Sequence, residues 1–313
     1  MVLSVFIDGG HGTTGLEIRE RLSGRSEISL ITLDDASRKD DDARTEALRS
    51  ADIAILCLPD AAAREAVAMA GDSDTRLIDA STAHRVSPDW AYGFPEWEPG
   101  HRATIAASRH AANPGCYAQT FVALVHPLIA SSILPGDAKL TVNATSGYSG
   151  GGRAMIEEFE QAEAPTAFRN YALALAHKHL PEMQEHSGLA SRPLFSPSVA
   201  NVYRGMLVEI PLHISQLREN TTVEEVRSVL REHYADCALI TVHNVADMAA
   251  LETLTIERCA DTDRMEIFVF ASPDGEHIRL CATLDNLGKG AAGSAVQNLN
   301  LMAGFNEYEG LKF

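Results

Sequence analysis

The sequence predicts an α/β protein, with a doubly wound parallel sheet in its first part and an α+β second part on a mainly antiparallel sheet. Three observations carry that expectation. Short apolar runs alternate with helix-like segments up to about residue 80, the rhythm of parallel strands joined by crossover helices. A glycine-rich turn, Gly9-x-x-Gly12-x-x-Gly15, follows the first run at once. Beyond Pro135 the runs lengthen, and several alternate apolar with polar residues, as strands covered on one face do.

In chain order, Val2–Ile7 reads as a buried strand, and Leu16–Leu22 as a helix with apolar residues at Leu16, Ile18 and Leu22. Ile28–Leu33 is a second strand. Asp34–Arg49 is polar, with Asp40-Asp41-Asp42 expected on a solvated helix face or loop. Ala51–Leu58 is a third strand closed by Pro59-Asp60, Ala61–Met69 an alanine-rich helix, and Arg76–Ala80 a fourth strand. Tyr92-Gly93-Phe94-Pro95-Glu96 has turn chemistry. Thr104–Ala107 reads as a short strand, and Asn113-Pro114-Gly115 breaks the chain before a helix over Cys116–Ile129. Further strands are expected at Leu140–Ala144, Gly205–Ile214, Leu239–Val245, Leu254–Cys259, Met265–Phe270 and His277–Leu284, with helices at Met155–Gln161, Val223–Tyr234 and Gly290–Met302.

A length of 313 residues suggests two domains at about 100–200 residues each. With 45% apolar and 22% charged residues the composition is that of a globular chain. The net charge of −17 disfavours nucleic acid or an anionic membrane as partner, since both need a basic footprint. An anionic ligand must then find its positive potential locally. No run of about 18 apolar residues suggests a membrane span, and Met1–Ile7 lacks the basic start of a signal peptide. Five widely spaced cysteines without a C-x-x-C pair suggest neither disulfides nor a zinc site, and a reducing cytoplasm is expected.

The glycine turn between a first strand and a first helix is the setting of a dinucleotide fingerprint. Glycines admit a pyrophosphate to the backbone, and the helix N-terminus supplies amide donors. The spacing is G-x-x-G-x-x-G rather than G-x-G-x-x-G. Asp34 and Asp35 end the second strand, where a carboxylate would hold a ribose 2′-hydroxyl; Ser37-Arg38-Lys39 follows at once and suits a 2′-phosphate. Spacing leaves NAD and NADP open.

Cys116 opens a helix directly after Asn113-Pro114-Gly115. A thiolate there is stabilised by the helix dipole and amides. Cys57, Cys237, Cys259 and Cys281 lie in apolar patterns and read as core residues. A nucleophilic cysteine needs a proton acceptor, and His177-Lys178-His179-Leu180-Pro181-Glu182 is the densest cluster of candidates. In an extended segment two histidines two residues apart point to opposite sides, so at most one of them would face Cys116. The same spacing suits no helical metal pair, and no metal is expected. Ser146–Arg153 is a donor-rich loop fit to wrap phosphate or nicotinamide. In Asp285–Gly293, Asn286 or Lys289 could meet a ligand at the last helix, or Lys289 could be a surface charge.

Together these segments make the chain resemble the N-acetyl-gamma-glutamyl-phosphate reductase family, in its shorter (type 2) variant. The resemblance rests on the Gly9/Gly12/Gly15 turn, Gly93-Phe94-Pro95-Glu96, Asn113-Pro114-Gly115-Cys116-Tyr117, Ser146–Arg153, His177–Glu182, Tyr203-Arg204-Gly205-Met206 and Asp285–Asn298, in matching order and spacing. Gln119 and Ser294 depart from the family's usual Thr and Gln. The resemblance implies a Rossmann-type NADP(H)-binding domain, residues 1–115 plus 286–313. It also implies an inserted catalytic and dimerisation domain, residues 116–285, and a homo-oligomer, dimer or tetramer. It makes Cys116 the nucleophile and His177 or His179 the acid–base. Gly9, Gly12, Thr13, Thr14, Gly15, Ser37, Arg38, Lys39, Pro59, Ser81, Ser149, Gly150 and Asn286 become cofactor contacts. Asn113, Arg153 and Arg204 become contacts of a small acyl-phosphate substrate. The expected reaction is reduction of that acyl phosphate through a Cys116 thioester. The alternatives are a related dehydrogenase of aspartate or aminoadipate type, or a non-catalytic NADPH-binding protein.

Overall fold

The computed structural model describes residues 2–161 and 164–313. The chain forms two compact units, one of Met1–Pro95, Gly100–Pro114 and Ala291–Leu311, the other of Glu96–Pro99, Gly115–Gly290 and Lys312–Phe313. Glu96–Pro99, Gly115, residues 286–290 and the last two residues thus group with the second unit, where the sequence places them in the first.

The first unit runs β1 (Leu3–Asp8), α1 (Thr13–Leu22), β2 (Ile28–Ile31), α2 (Asp41–Ser50), β3 (Ile53–Leu56), α3 (Asp60–Ala70), β4 (Arg76–Asp79), β5 (Ala91–Tyr92), α4 (His101–Ala107) and β6 (His110–Ala112). Its sheet has the order β2-β1-β3-β4-β6-β5, with every pairing parallel. Strand residues alternate between faces, and the two cores follow that alternation. Val5 and Ile7 join Ile18, Ile105, Val296 and Leu299 on one side. Phe6 joins Leu48, Ala66 and Leu77 on the other. Helices therefore cover both faces, as in a doubly wound sheet. The last helix, Gly293–Ala303, supplies Val296 and Leu299, so the chain's end completes the core begun at its start. The polar 34–49 stretch becomes a loop and then α2, whose first turn is capped by Asp40 accepting from the Ala43 amide at 2.9 Å.

The second unit contains α5 (Cys116–Ala130), β7 (Thr141–Gly147), α6 (Gly152–Phe159), β8 (Phe168–Asn170), α7 (Leu180–Ser187), β9 (Leu194–Ala200), β10 (Met206–His213), α8 (Val223–His233), β11 (Ile240–Val242), α9 (Val245–Ala249), β12 (Met265–Ala271) and β13 (His277–Leu284). Its sheet order is β11-β12-β13-β10-β7-β9-β8. Four pairings are antiparallel, while β7–β9 and β11–β12 are parallel, which makes a mixed sheet. Helix α5 is buried almost throughout from Tyr117 to Leu128.

Two expected strands are absent. Thr104–Ala107 belongs to α4, because a four-residue apolar run has no period that separates strand from helix. Leu254–Cys259 is turn and loop; Leu251 and Leu254 pack on Phe268 and Cys281, so their apolar pattern reflects a cover over the sheet rather than a place in it. Strand β9 goes unread in the sequence because Pro197 sits in its middle, a residue that usually marks an edge or a break.

Candidate active site

Gly115 leads into α5 with extended backbone, and Cys116 is the helix's first residue, half-buried. The first amides of any helix have no acceptor within it and form the positive end of its dipole. Here the Gly115 amide donates to Glu182 Oε1 at 2.8 Å, and the Gln119 amide closes the first turn on the Gly115 carbonyl at 2.8 Å. Glu182 is 2% exposed. A buried carboxylate thus pins the point where the chain enters the cysteine helix. In the sequence Glu182 stands out only as the end of the His177–Glu182 motif.

The histidine segment is not extended. The Leu180 amide bonds the His177 carbonyl at 3.1 Å, a turn, and α7 starts at Leu180 with Pro181 in its first turn. The two rings therefore do not diverge. They stand edge to face at 4.8 Å, and both lie edge-on to Tyr117, at 5.9 and 6.0 Å. His177 Nδ1 accepts from the His179 amide at 3.1 Å, which leaves Nε2 as the protonated nitrogen of the neutral ring. His179 is buried and His177 half-buried. Tyr117, next to Cys116, donates to the Ser198 carbonyl at 3.2 Å and receives the Tyr171 hydroxyl at 3.2 Å. Burial raises both phenols, Tyr171 to about 12, and negative charge at Cys116 adds to the rise. The phenols stay protonated and form a fixed wall beside the thiol. In the sequence Tyr117 signals only as the last residue of the Asn113–Tyr117 motif, and Tyr171 not at all.

Other candidates are already engaged. Ser149 is buried, its hydroxyl accepting from Asn286 Nδ2 at 2.8 Å, while Asn286 Oδ1 accepts the Gly205 amide at 2.9 Å. Asn286 thus ties two loops together. A Cβ on Gly150 would lie 3.0 Å from Ser146 Oγ and 3.5 Å from Asn286 Nδ2, so the loop passes close to the same knot. Arg204 pairs with the exposed Asp261 and, at 3.3 Å, with the buried Asp285. Arg153 stands on the exposed face of α6 with Glu157 at 2.7 Å. Lys289 is neither a ligand at a helix entrance nor a surface charge. Its ammonium is fully buried and reaches both oxygens of equally buried Glu96, at 2.9 and 3.0 Å.

In the first unit, Asn113 was expected to touch substrate. Instead it is 1% exposed, donating to the Ala291 carbonyl at 3.0 Å and accepting from Asn298 Nδ2 at 3.1 Å. Ser81 turns inward onto Asp79 through its amide and hydroxyl, at 2.9 and 2.7 Å, and Pro59 caps α3.

The glycine turn fits an anion. Gly9 has φ +81°, and a Cβ there would sit 2.3 Å from the Cys57 carbonyl oxygen, so no other residue can make this turn. Gly12 caps α1 and no side chain caps the helix there; Thr13 and Thr14 form its half-buried first turn. Gly15 packs its bare α-carbon against Gly9 and Gly10. The turn follows β1, whose neighbours β2 and β3 lead the chain to opposite sides, the switch point where such sheets bind ligands. Asp34 Oδ1 accepts from the Ala36 amide, the Ser37 amide and the Ser37 hydroxyl, at 3.1, 2.8 and 2.6 Å. The Ser37 hydroxyl and these amides hold its carboxyl below the usual range. Arg38 and Asp35 pair at 2.9 Å on the surface, and Lys39 is exposed. Arg44, absent from the sequence reading, reaches buried Asp8 at 2.9 Å. Among the described residues no group of three or more His, Cys, Asp or Glu could hold a metal ion, and no helix is long and apolar enough to cross a membrane.

Residues 4–105 match the semialdehyde dehydrogenase NAD binding domain, and residues 116–286 match the semialdehyde dehydrogenase dimerisation domain. The chain is 49% identical, over 96% of its length and 98% of the relative's, to N-acetyl-gamma-glutamyl-phosphate reductase of Brucella ovis. It is 48% identical to the protein of the same name from Sinorhizobium medicae, over 95% and 98%. Among solved structures, aspartate semialdehyde dehydrogenase II of Vibrio cholerae superposes with a TM-score of 0.74 at 19% identity, covering 97% of this chain and 99% of that one. The Candida albicans aspartate semialdehyde dehydrogenase with NADP gives 0.66 at 15%, covering 97% and 99%. These two likenesses concern the fold.

Proposed function

The chain belongs to the semialdehyde dehydrogenase family, and from that premise we propose that it reduces N-acetyl-L-glutamyl 5-phosphate to N-acetyl-L-glutamate 5-semialdehyde with NADPH, releasing phosphate. The observation that carries the reading is the group around Cys116: a helix-initial thiol, two histidines on the neighbouring Tyr117, and Glu182 fixing the helix entrance. The names of relatives about half identical along nearly the whole chain supply the substrate.

His177 or His179 takes the thiol proton. The Cys116 sulfur bonds the acyl carbon, the C–O bond to phosphate breaks, and a thioester remains on the enzyme. A thioester accepts hydride far more readily than a carboxylate, which is the use of the covalent step. NADPH, when bound, would supply that hydride. The same histidine protonates the resulting alkoxide and takes the proton back as the C–S bond breaks, which frees the aldehyde and the thiolate. Amides in the first turn of α5 stabilise the oxyanion. Gly9, Gly12, Thr13, Thr14 and Gly15 would hold the pyrophosphate of NADPH. Arg38 and Lys39, beside Ser37, would meet its 2′-phosphate, since Asp34 is spent inside its own turn. The substrate sets the reaction in arginine biosynthesis; the protein acts in the cytoplasm as a homo-oligomer, a reading supported by the match to a dimerisation domain.

The test runs the reaction backwards, supplying NADP and phosphate with either N-acetylglutamate semialdehyde or aspartate semialdehyde. Turnover of the first and little of the second is expected. Preference for aspartate semialdehyde overturns the substrate assignment, and no turnover of either overturns the enzyme.

A further inference from the structure

A buried ion pair is an expensive thing to build, because both charges lose water. Glu96 and Lys289 are both fully buried, and apolar side chains of similar size would fill their space. Their place in the fold suggests what the pair does. Lys289 lies in a π-helical turn, Gly288–Ala292, just after β13. Such wide turns commonly mark functional sites. The turn closes through the Gly290 amide on the Asp285 carbonyl, at 2.8 Å. The next residue after Lys289 abuts the cysteine, since a Cβ on Gly290 would stand 2.8 Å from the Cys116 Cβ. At the other end, Glu96 is anchored by its backbone: His233 Nε2 contacts the carbonyls of Glu96 and Trp97 at 3.3 and 3.0 Å, and Trp97 Nε1 donates to the His186 carbonyl at 2.8 Å.

We infer that the Glu96–Lys289 pair positions Cys116, by locking the Gly288–Ala292 turn so that bare backbone at Gly290 backs the thiol's β-carbon. Both are positioning residues, which act on the reaction through Gly290 and Cys116. The inference rests on reading Cys116 as the nucleophile.

Removing one charge would strand the other, and such a variant can fail to fold. The test therefore replaces both, Glu96→Leu with Lys289→Met, since an apolar pair commonly keeps a buried site stable. Gly290→Ala probes the same contact from the other side. Each variant is checked for folding by circular dichroism. It is then assayed for kcat and KM, and for the rate and pH profile of Cys116 alkylation by iodoacetamide. The expected result is a kcat lowered about 10–100-fold, as displacement of a reacting group by a fraction of an ångström to an ångström would give. The KM should stay within about threefold, the pattern of an interaction realised in the transition state. The alkylation profile should move with kcat. A folded double variant, or a folded Gly290→Ala, with wild-type kcat and alkylation profile overturns the inference. If the wild-type protein turns over no acyl phosphate, the functional reading fails, while the alkylation measurements still decide whether the pair positions the thiol.

Discussion

At the scale of single residues, the thiols of three of the five cysteines are set apart from that of Cys116. Burial pushes Cys57 and Cys281 to about 12 and Cys259 to about 11, so these thiols stay protonated at neutral pH. Cys116 is half-buried at a helix start. One equivalent of iodoacetamide at pH 7.5 should therefore label Cys116 ahead of those three, as peptide mass spectrometry would show. Cys116→Ser should lose turnover by at least about 10³-fold, on the scale of a lost nucleophile, while a fluorescence titration finds NADPH binding unchanged. Full activity in that variant would end the covalent mechanism. Cys116 and the glycine turn were legible because their chemistry is local: a break residue, then a thiol at a helix start, or glycines between a strand and a helix. Asn113 and Lys289 were not legible in the same way. Their partners lie 178 and 193 residues away, and nothing in the neighbouring sequence tells a buried amide or ammonium from one that waits for a ligand.

At the scale of elements, the site depends on how two short segments are closed. Helix α7 brings Glu182 to the entrance of α5. Glu182→Ala should cost about 1–3 kcal/mol, the usual loss when a buried polar partner disappears, read as a lower urea midpoint. Labelling of Cys116 should change in the same variant. Glu182→Gln can still accept the amide and should recover much of the stability, and an unchanged midpoint in the alanine variant would mean the contact holds nothing. The 34–39 loop is closed by Asp34, and Arg38 pairs with the exposed Asp35. Such surface pairs are weak and exchange partners easily. Arg38→Ala should raise the KM for NADPH several-fold more than that for NADH, and equal changes would mean that Arg38 does not read the 2′-phosphate. Alternating strands and helices were legible in the first unit because their periods are distinct. The His177–Glu182 segment suggests an extended run by its alternating histidines, yet Pro181-Glu182 suits the first turn of a helix and a Gly follows the last residue of α7.

At the scale of the whole molecule, the net charge of −17 and an isoelectric point near 5.1 suggest that mild acid would relieve repulsion and stabilise the protein. Three histidines oppose that. Burial lowers His126, His233 and His110 below the ordinary value of 6.5. His126 and His233 stand 6.2 Å apart, with Trp97 beside His126. Glu98, at 3.3 Å from His126, pulls in the charged direction but does not outweigh burial. His110 stacks on Trp90 near Arg109 and His84, whose charges disfavour its own. The sign follows from proton counts. Below pH 6.5 the unfolded chain protonates these rings and the folded chain resists, so the unfolded state binds more protons and stability falls as pH falls. Above 6.5 both states hold neutral rings and the contribution is complete. The thermal midpoint should therefore decline from pH 7.5 to 5.5, although the net charge moves toward zero over the same range. His126→Gln and His233→Gln should each flatten the decline. A midpoint that rises steadily toward the isoelectric point would show that charge repulsion, and not the buried rings, governs stability in mild acid.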